Sequence, residues 1–117
     1  MFDLISISEA IKQSYASKGL LVDVRSEEAF KKGHLPMAVN IPFEDILEEK
    51  IDIEKDFNVE KEQPVFLYCD TGSTSMLAAR KLDSMGIHAY NVVGGIMFYK
   101  GYLEKEKNDL WTMVRTS

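Results

Sequence analysis

The chain has 117 residues, 45% hydrophobic, with a formal net charge of -5, enough for one domain to bury a core without metals or disulfides. A single cysteine excludes an internal disulfide, and two histidines, His34 and His88, provide no Cys/His set with zinc spacing. The acidic balance offers no basic patch for a phosphate backbone, and no apolar run approaches the ~20 residues of a membrane span, so neither nucleic acid nor membrane is an expected partner.

In chain order, Ile5-Ser6-Ile7 alternates like a short edge strand, and Ser8 is placed to cap a helix over 9–16, closed by Gly19. The opening Met1-Phe2-Asp3 lacks the order of a signal peptide, so a cytoplasmic chain with a reduced thiol is expected. Leu20-Leu-Val-Asp-Val24 is an apolar run holding one acid, the pattern of a strand buried on both faces. Ser26 caps a short helix over 27–32 that stops at Gly33; 38–41 is a brief strand, and Pro42 starts a helical turn toward Leu47. Residues 48–62 are charged and aperiodic, a long connection with a helical turn, pinned by Ile51, Ile53, Phe57 and Val59.

Pro64-Val-Phe-Leu-Tyr68 is the second apolar run, and it ends directly on Cys69-Asp-Thr-Gly-Ser-Thr74. Helical spacing follows through Met85, with Gly86 as the stop; 89–93 is a further strand, Gly94-Gly95 a sharp turn, and 96–102 again shows a helical pattern. Glu104-Lys-Glu-Lys107 reads as the solvated face of a helix, and Trp111 with Met113 as the packed side of a last one. Strands alternating with helices predict an α/β fold around a mainly parallel sheet. No repeat, linker or composition break divides the chain, which predicts a single domain, 1–117.

In such a sheet reactive groups gather beyond the carboxyl ends of the strands, where Cys69 stands between a buried strand and a helix. A loop with Gly72 for backbone freedom can turn its N–H groups toward one centre, and the helix starting near Ser73 adds its dipole. Such a loop stabilises an anion: a Cys69 thiolate or the terminal sulfur of a Cys69 persulfide. Asp70, Thr71, Gly72, Ser73, Thr74 and Ser75 are the candidate anion-binding residues, and Cys69 the candidate nucleophile.

Three ordered motifs give the chain a resemblance to the rhodanese superfamily of sulfurtransferases. Leu21-Val-Asp-Val-Arg25 with Gly33-His34-Leu35-Pro36-Met37-Ala38-Val39-Asn40-Ile41-Pro42 is similar to that family's "DVR, then GHIPGAINIP" segment. Val65-Phe-Leu-Tyr-Cys69 with Gly72 and Ser75 resembles its persulfide loop, and Val93-Gly94-Gly95-Ile96 its "L-x-GG" turn. The resemblance implies a rhodanese-like three-layer fold with a five-stranded sheet. It also implies a sulfurtransferase that moves sulfane sulfur through Cys69, with no metal or organic cofactor. The partners would be a small-molecule or protein sulfur donor and a thiol acceptor.

Thr74 stands where many rhodanese loops carry arginine, and a loop without arginine is disfavoured for Cys-x5-Arg phosphatase chemistry. Asp70 and Thr71 bring no positive charge, so a thiosulfate dianion is expected to be a poorer donor than a persulfide. Asp23 and Arg25 are supporting candidates; an acid at the end of a buried strand more often fixes neighbouring loops than reacts. His34 is read as scaffolding, His88 as a solvated turn residue, and Met37, Phe43, Met97, Phe98 and Tyr99 as packing. Two other functions remain open: a binding or regulatory module with little turnover, and a redox sensor whose thiol lacks a resolving cysteine in the chain.

Overall fold

The computed structural model describes residues 2–60 and 62–105. Ten elements follow in order: β1 (Asp3–Ile5), α1 (Ile7–Tyr15), β2 (Leu20–Asp23), α2 (Glu27–Lys32), β3 (Val39–Asn40), α3 (Phe43–Leu47), α4 (Ile53–Asp56), β4 (Val65–Tyr68), α5 (Ser73–Ser84) and β5 (Ala89–Val92). The strands form one five-stranded sheet in the order β1-β5-β4-β2-β3, with every pairing parallel. All five carboxyl ends therefore lie along one edge.

Alternation along the strands divides the core between two faces. Val22, Val24, Val65 and Leu67 pack with Ile46 of α3, Ile53 of α4, and Ala78, Ala79 and Leu82 of α5. Leu21, Phe66, Tyr68 and Val92 face the other way, onto Ala10 of α1, Leu35 and Ile96. The two strongest apolar runs, β2 and β4, are adjacent, and all four residues of β4 are buried, as a central strand covered on both faces requires. Ile53 and Val59 are buried and Ile51 and Phe57 partly so, and together they hold the connection before β4 against the core.

Three expectations are corrected. The first helix begins two residues before the expected start, because Ser6, not Ser8, accepts the Glu9 N–H at 3.2 Å; the edge strand ends at Ile5 accordingly. Residues 96–102 form turns rather than a helix, because the N–H groups of Ile96 and Met97 donate to the carbonyls of Cys69 and Asp70, each at 2.9 Å. Glu104 makes an antiparallel bridge to His34 instead of opening a helix. Trp111 and Met113 lie outside the described residues.

Candidate active site

Cys69 is the first residue beyond β4, at the carboxyl edge of the sheet, and only 4% of it is exposed. Gly72 follows with φ of +103°, the left-handed conformation that reverses the chain and sends it into α5. This turn brings three donors onto the Cys69 sulfur: the Gly72 N–H at 3.1 Å, the Ser75 N–H at 3.3 Å and the Ser75 hydroxyl at 3.4 Å. Burial pushes the thiol pKa up, but bonds from the Ser75 hydroxyl, Ser75 N–H, Gly72 N–H and Thr71 N–H outweigh it. The net shift is downward.

A cleft of about 450 Å³ opens over the sulfur, lined by Arg25, Ser26, Cys69, Asp70, Thr71, Thr74 and Met97 among others. Of the expected loop residues, Gly72 and Ser75 touch Sγ, while Asp70, Thr71 and Thr74 line the mouth. The Ser73 hydroxyl lies 3.3 Å from that of Thr71. A Cys-x5-Arg arginine would occupy position 75, where a buried serine stands instead.

Asp23 and Arg25 form a fixed pair beside the cleft. Asp23 is fully buried and accepts from the Arg25 backbone N–H at 2.8 Å, from its Nε and from its Nη2 at 2.7 Å. Nη2 also donates to the Gly33 carbonyl at 2.6 Å, tying β2 to the turn after α2. Burial lowers the guanidinium pKa and the bonds and charge of Asp23 raise it, with a net upward shift. The pair thus links β2 to the turn after α2, and the remaining nitrogen, Nη1, reaches to 3.7 Å from Asp70 Oδ1. The loop acid is therefore opposed by a cation from the end of β2, which the local sequence around Cys69 did not reveal.

His34 is scaffolding, as expected: it is buried, stacks on Phe30 at 3.7 Å between ring centroids, and bonds the Phe30 carbonyl through Nδ1 at 2.8 Å. His88 is half exposed near Asp3 at the opposite edge of the sheet. Met97 departs from the expected packing role, since it is 59% exposed and forms part of the cleft mouth. Sequence reasoning missed Asn91, which is 3% exposed, accepts the Ser75 hydroxyl at 2.6 Å and donates to the Gly72 carbonyl at 3.2 Å. A polar residue inside the apolar run of β5 was the available signal.

Gly95 explains the double-glycine turn. A Cβ added there would lie 2.4 Å from the Asp70 carbonyl oxygen and 2.6 Å from that of Cys69. The turn after β5 thus presses backbone to backbone on the cysteine loop. Among the described residues no group of His, Cys, Asp and Glu is arranged to hold a metal ion, and no helix is long and apolar enough to cross a membrane.

A buried thiol ringed by donors at the carboxyl edge of a parallel sheet is an arrangement able to hold an anion on or beside a cysteine. The chain belongs to the rhodanese-like domain family, whose profile matches residues 6–101. It is 35% identical to the tRNA sulfurtransferase of Desulfurococcus amylolyticus over 94 residues, 80% of this chain and 17% of that one. It is 37% identical over 81 residues to YtwF of Bacillus subtilis, provisionally named a sulfurtransferase, with 69% of this chain and 73% of the relative covered. The chain therefore spans less than a fifth of the first relative and about three quarters of the second. Among solved structures, a rhodanese-like domain protein from Staphylococcus aureus superposes with a TM-score of 0.70 at 27% identity, covering 92% of this chain and 100% of that one.

Proposed function

We propose that the protein is a sulfurtransferase that carries sulfane sulfur as a persulfide on Cys69. The observation that carries this reading is the convergence of the Gly72 and Ser75 donors on a buried Sγ beneath an open cleft. Ordinary structural cysteines sit among apolar atoms, with no reason to gather N–H groups.

In the first step the Cys69 thiolate attacks the outer sulfur of a donor R–S–S⁻. The donor's S–S bond breaks, R–S⁻ leaves with the electron pair, and Cys69–S–S⁻ remains. In the second step an acceptor thiolate attacks the terminal sulfur, the Sγ–S bond breaks, and its electron pair returns to Sγ. The backbone N–H groups of the loop hold the terminal sulfur between the two steps, and the kinetics are ping-pong. Arg25 already faces Asp70 inside the cleft, so little positive charge is left for a dianion. This supports persulfide donors over thiosulfate.

Intact-mass spectrometry after incubation with thiosulfate and with a low-molecular-weight persulfide tests the proposal. One added sulfur atom per chain, lost on acceptor addition and absent from Cys69→Ser, is the expected result. No adduct with either donor would overturn it in favour of a binding module.

A further inference from the structure

The hydroxyl of Ser75 has one proton and two acceptors. Asn91 Oδ1 lies 2.6 Å from Ser75 Oγ and Cys69 Sγ 3.4 Å from it, and both Ser75 and Asn91 are buried. The Asn91 amide cannot turn to offer its nitrogen instead, because Nδ2 donates to the Gly72 carbonyl at 3.2 Å. Oδ1 is therefore held facing Ser75.

The shorter bond marks the resting position of the proton. With Sγ protonated, or bonded to a transferred sulfur, Ser75 donates to Asn91, and its oxygen can accept from the Cys69 S–H. When negative charge appears on Sγ, the hydroxyl gains more by turning to it, since a bond to an ionised acceptor is the stronger one. That turn leaves a buried carbonyl oxygen with one donor fewer, which opposes the charge.

We propose that Ser75 is a movable donor that follows the charge on the Cys69 sulfur, and that Asn91 is the positioning residue that takes its proton back when that charge is gone. Resting on the sulfur-transfer reading, this gives the pair a part in both steps. The proton leaves Sγ as the thiolate's electron pair forms the new S–S bond, and returns when the acceptor's attack breaks that bond and delivers the pair to Sγ. Without Asn91, Ser75 would stabilise the thiolate at no cost to another bond, and the thiolate would be a weaker nucleophile.

The test is a double-mutant cycle on thiol acidity, read from the pH dependence of Cys69 alkylation by iodoacetamide. No sulfur donor is present, so the answer is independent of whether transfer occurs. The charged groups that line the cleft with Cys69 are Arg25 and Asp70, with Asp23 and Tyr68 next to Arg25, and all four stay constant in every variant. Ser75→Ala moves the alkylation midpoint to higher pH and slows the reaction at pH 7 by about three- to tenfold. Asn91→Val acts through two routes, release of the Ser75 proton and loss of the Gly72 tie, and only the first needs the hydroxyl.

The expected result is that Asn91→Val shifts the midpoint further toward low pH with Ser75 present than in the Ser75→Ala background. Ser75→Thr, which keeps a hydroxyl, restores that difference. Equal shifts in the two backgrounds, or the opposite order, would overturn the proposal. Asn91→Ala runs the same cycle should the valine variant fail to fold, as judged by circular dichroism.

Discussion

Replacing Gly95 with alanine tests how the cysteine loop is held. The new Cβ would meet the Asp70 carbonyl oxygen at 2.4 Å, so backbone must separate by about 1 Å to reach ordinary contact. The atoms in the way are the carbonyls that accept from the Ile96 and Met97 N–H groups, and no flexible side chain can yield in their place. A left-handed φ of +65° costs a non-glycine residue about 1–2 kcal/mol, and overpacking of this kind adds roughly 1–3 kcal/mol. Together these lower Tm by about 10 °C or more, and a loop displaced by that distance transfers sulfur about a hundredfold more slowly. Gly94→Ala is the control: its φ is +83°, but nothing lies within 4 Å of the added atom, so it carries the conformational cost alone. Thermal unfolding by circular dichroism and transfer from a persulfide to cyanide, measured on both variants, decide the matter. Equal stability and equal rates in the two would refute the clamp.

Arg25→Ala leaves the fully buried Asp23 carboxylate with no cation, and unfolding in urea should show a loss of about 3–5 kcal/mol. Asp23→Asn added to that variant recovers part of the loss, because no buried charge then remains. The downward shift of the Cys69 thiol sets a pH dependence of stability. Between the lowered native value and the ordinary thiol value of 9.0 the unfolded chain binds the proton that the native one has released, so stability rises with pH. The difference in unfolding free energy between the natural protein and Cys69→Ala should therefore grow as pH rises through that window and shrink as pH falls through it; a flat difference would remove the thiolate from the account.

The central strands, the Ser26 cap and the placement of Cys69 were legible because each is a local signal: an apolar run, a capping residue, a run ending on a glycine-bearing loop. The segment 96–102 was not, and its failure has a physical cause. Ile96 and Tyr99 pack inward at a three-residue spacing that imitates one face of a helix. What decided the backbone was a distant set of acceptors on residues 69 and 70, which no local pattern records. The same holds for the candidate site, whose candidate nucleophile and donor loop follow from one stretch of sequence. The cation near Asp70 comes from residue 25, and the acceptor behind Ser75 from residue 91. Arg25 follows the end of β2 and Asn91 lies in β5, so their contribution exists only once those two strands flank β4.

The shortness of the outer strands has a consequence for how the chain behaves in concentrated solution. β1 has three residues and begins on the exposed Asp3, while β3 has two. An open edge of that length offers a neighbouring molecule only a few unpaired amides, and on one side a carboxylate sits among them. The segments most prone to cross-β stacking, Leu20–Asp23 and Val65–Tyr68, pair with each other in the interior of the sheet, and their other sides are covered by β3 at Val22 and Asp23 and by β5 along Val65–Leu67. The cysteine loop can thus be built on strongly apolar strands while presenting other copies with little template for fibril growth.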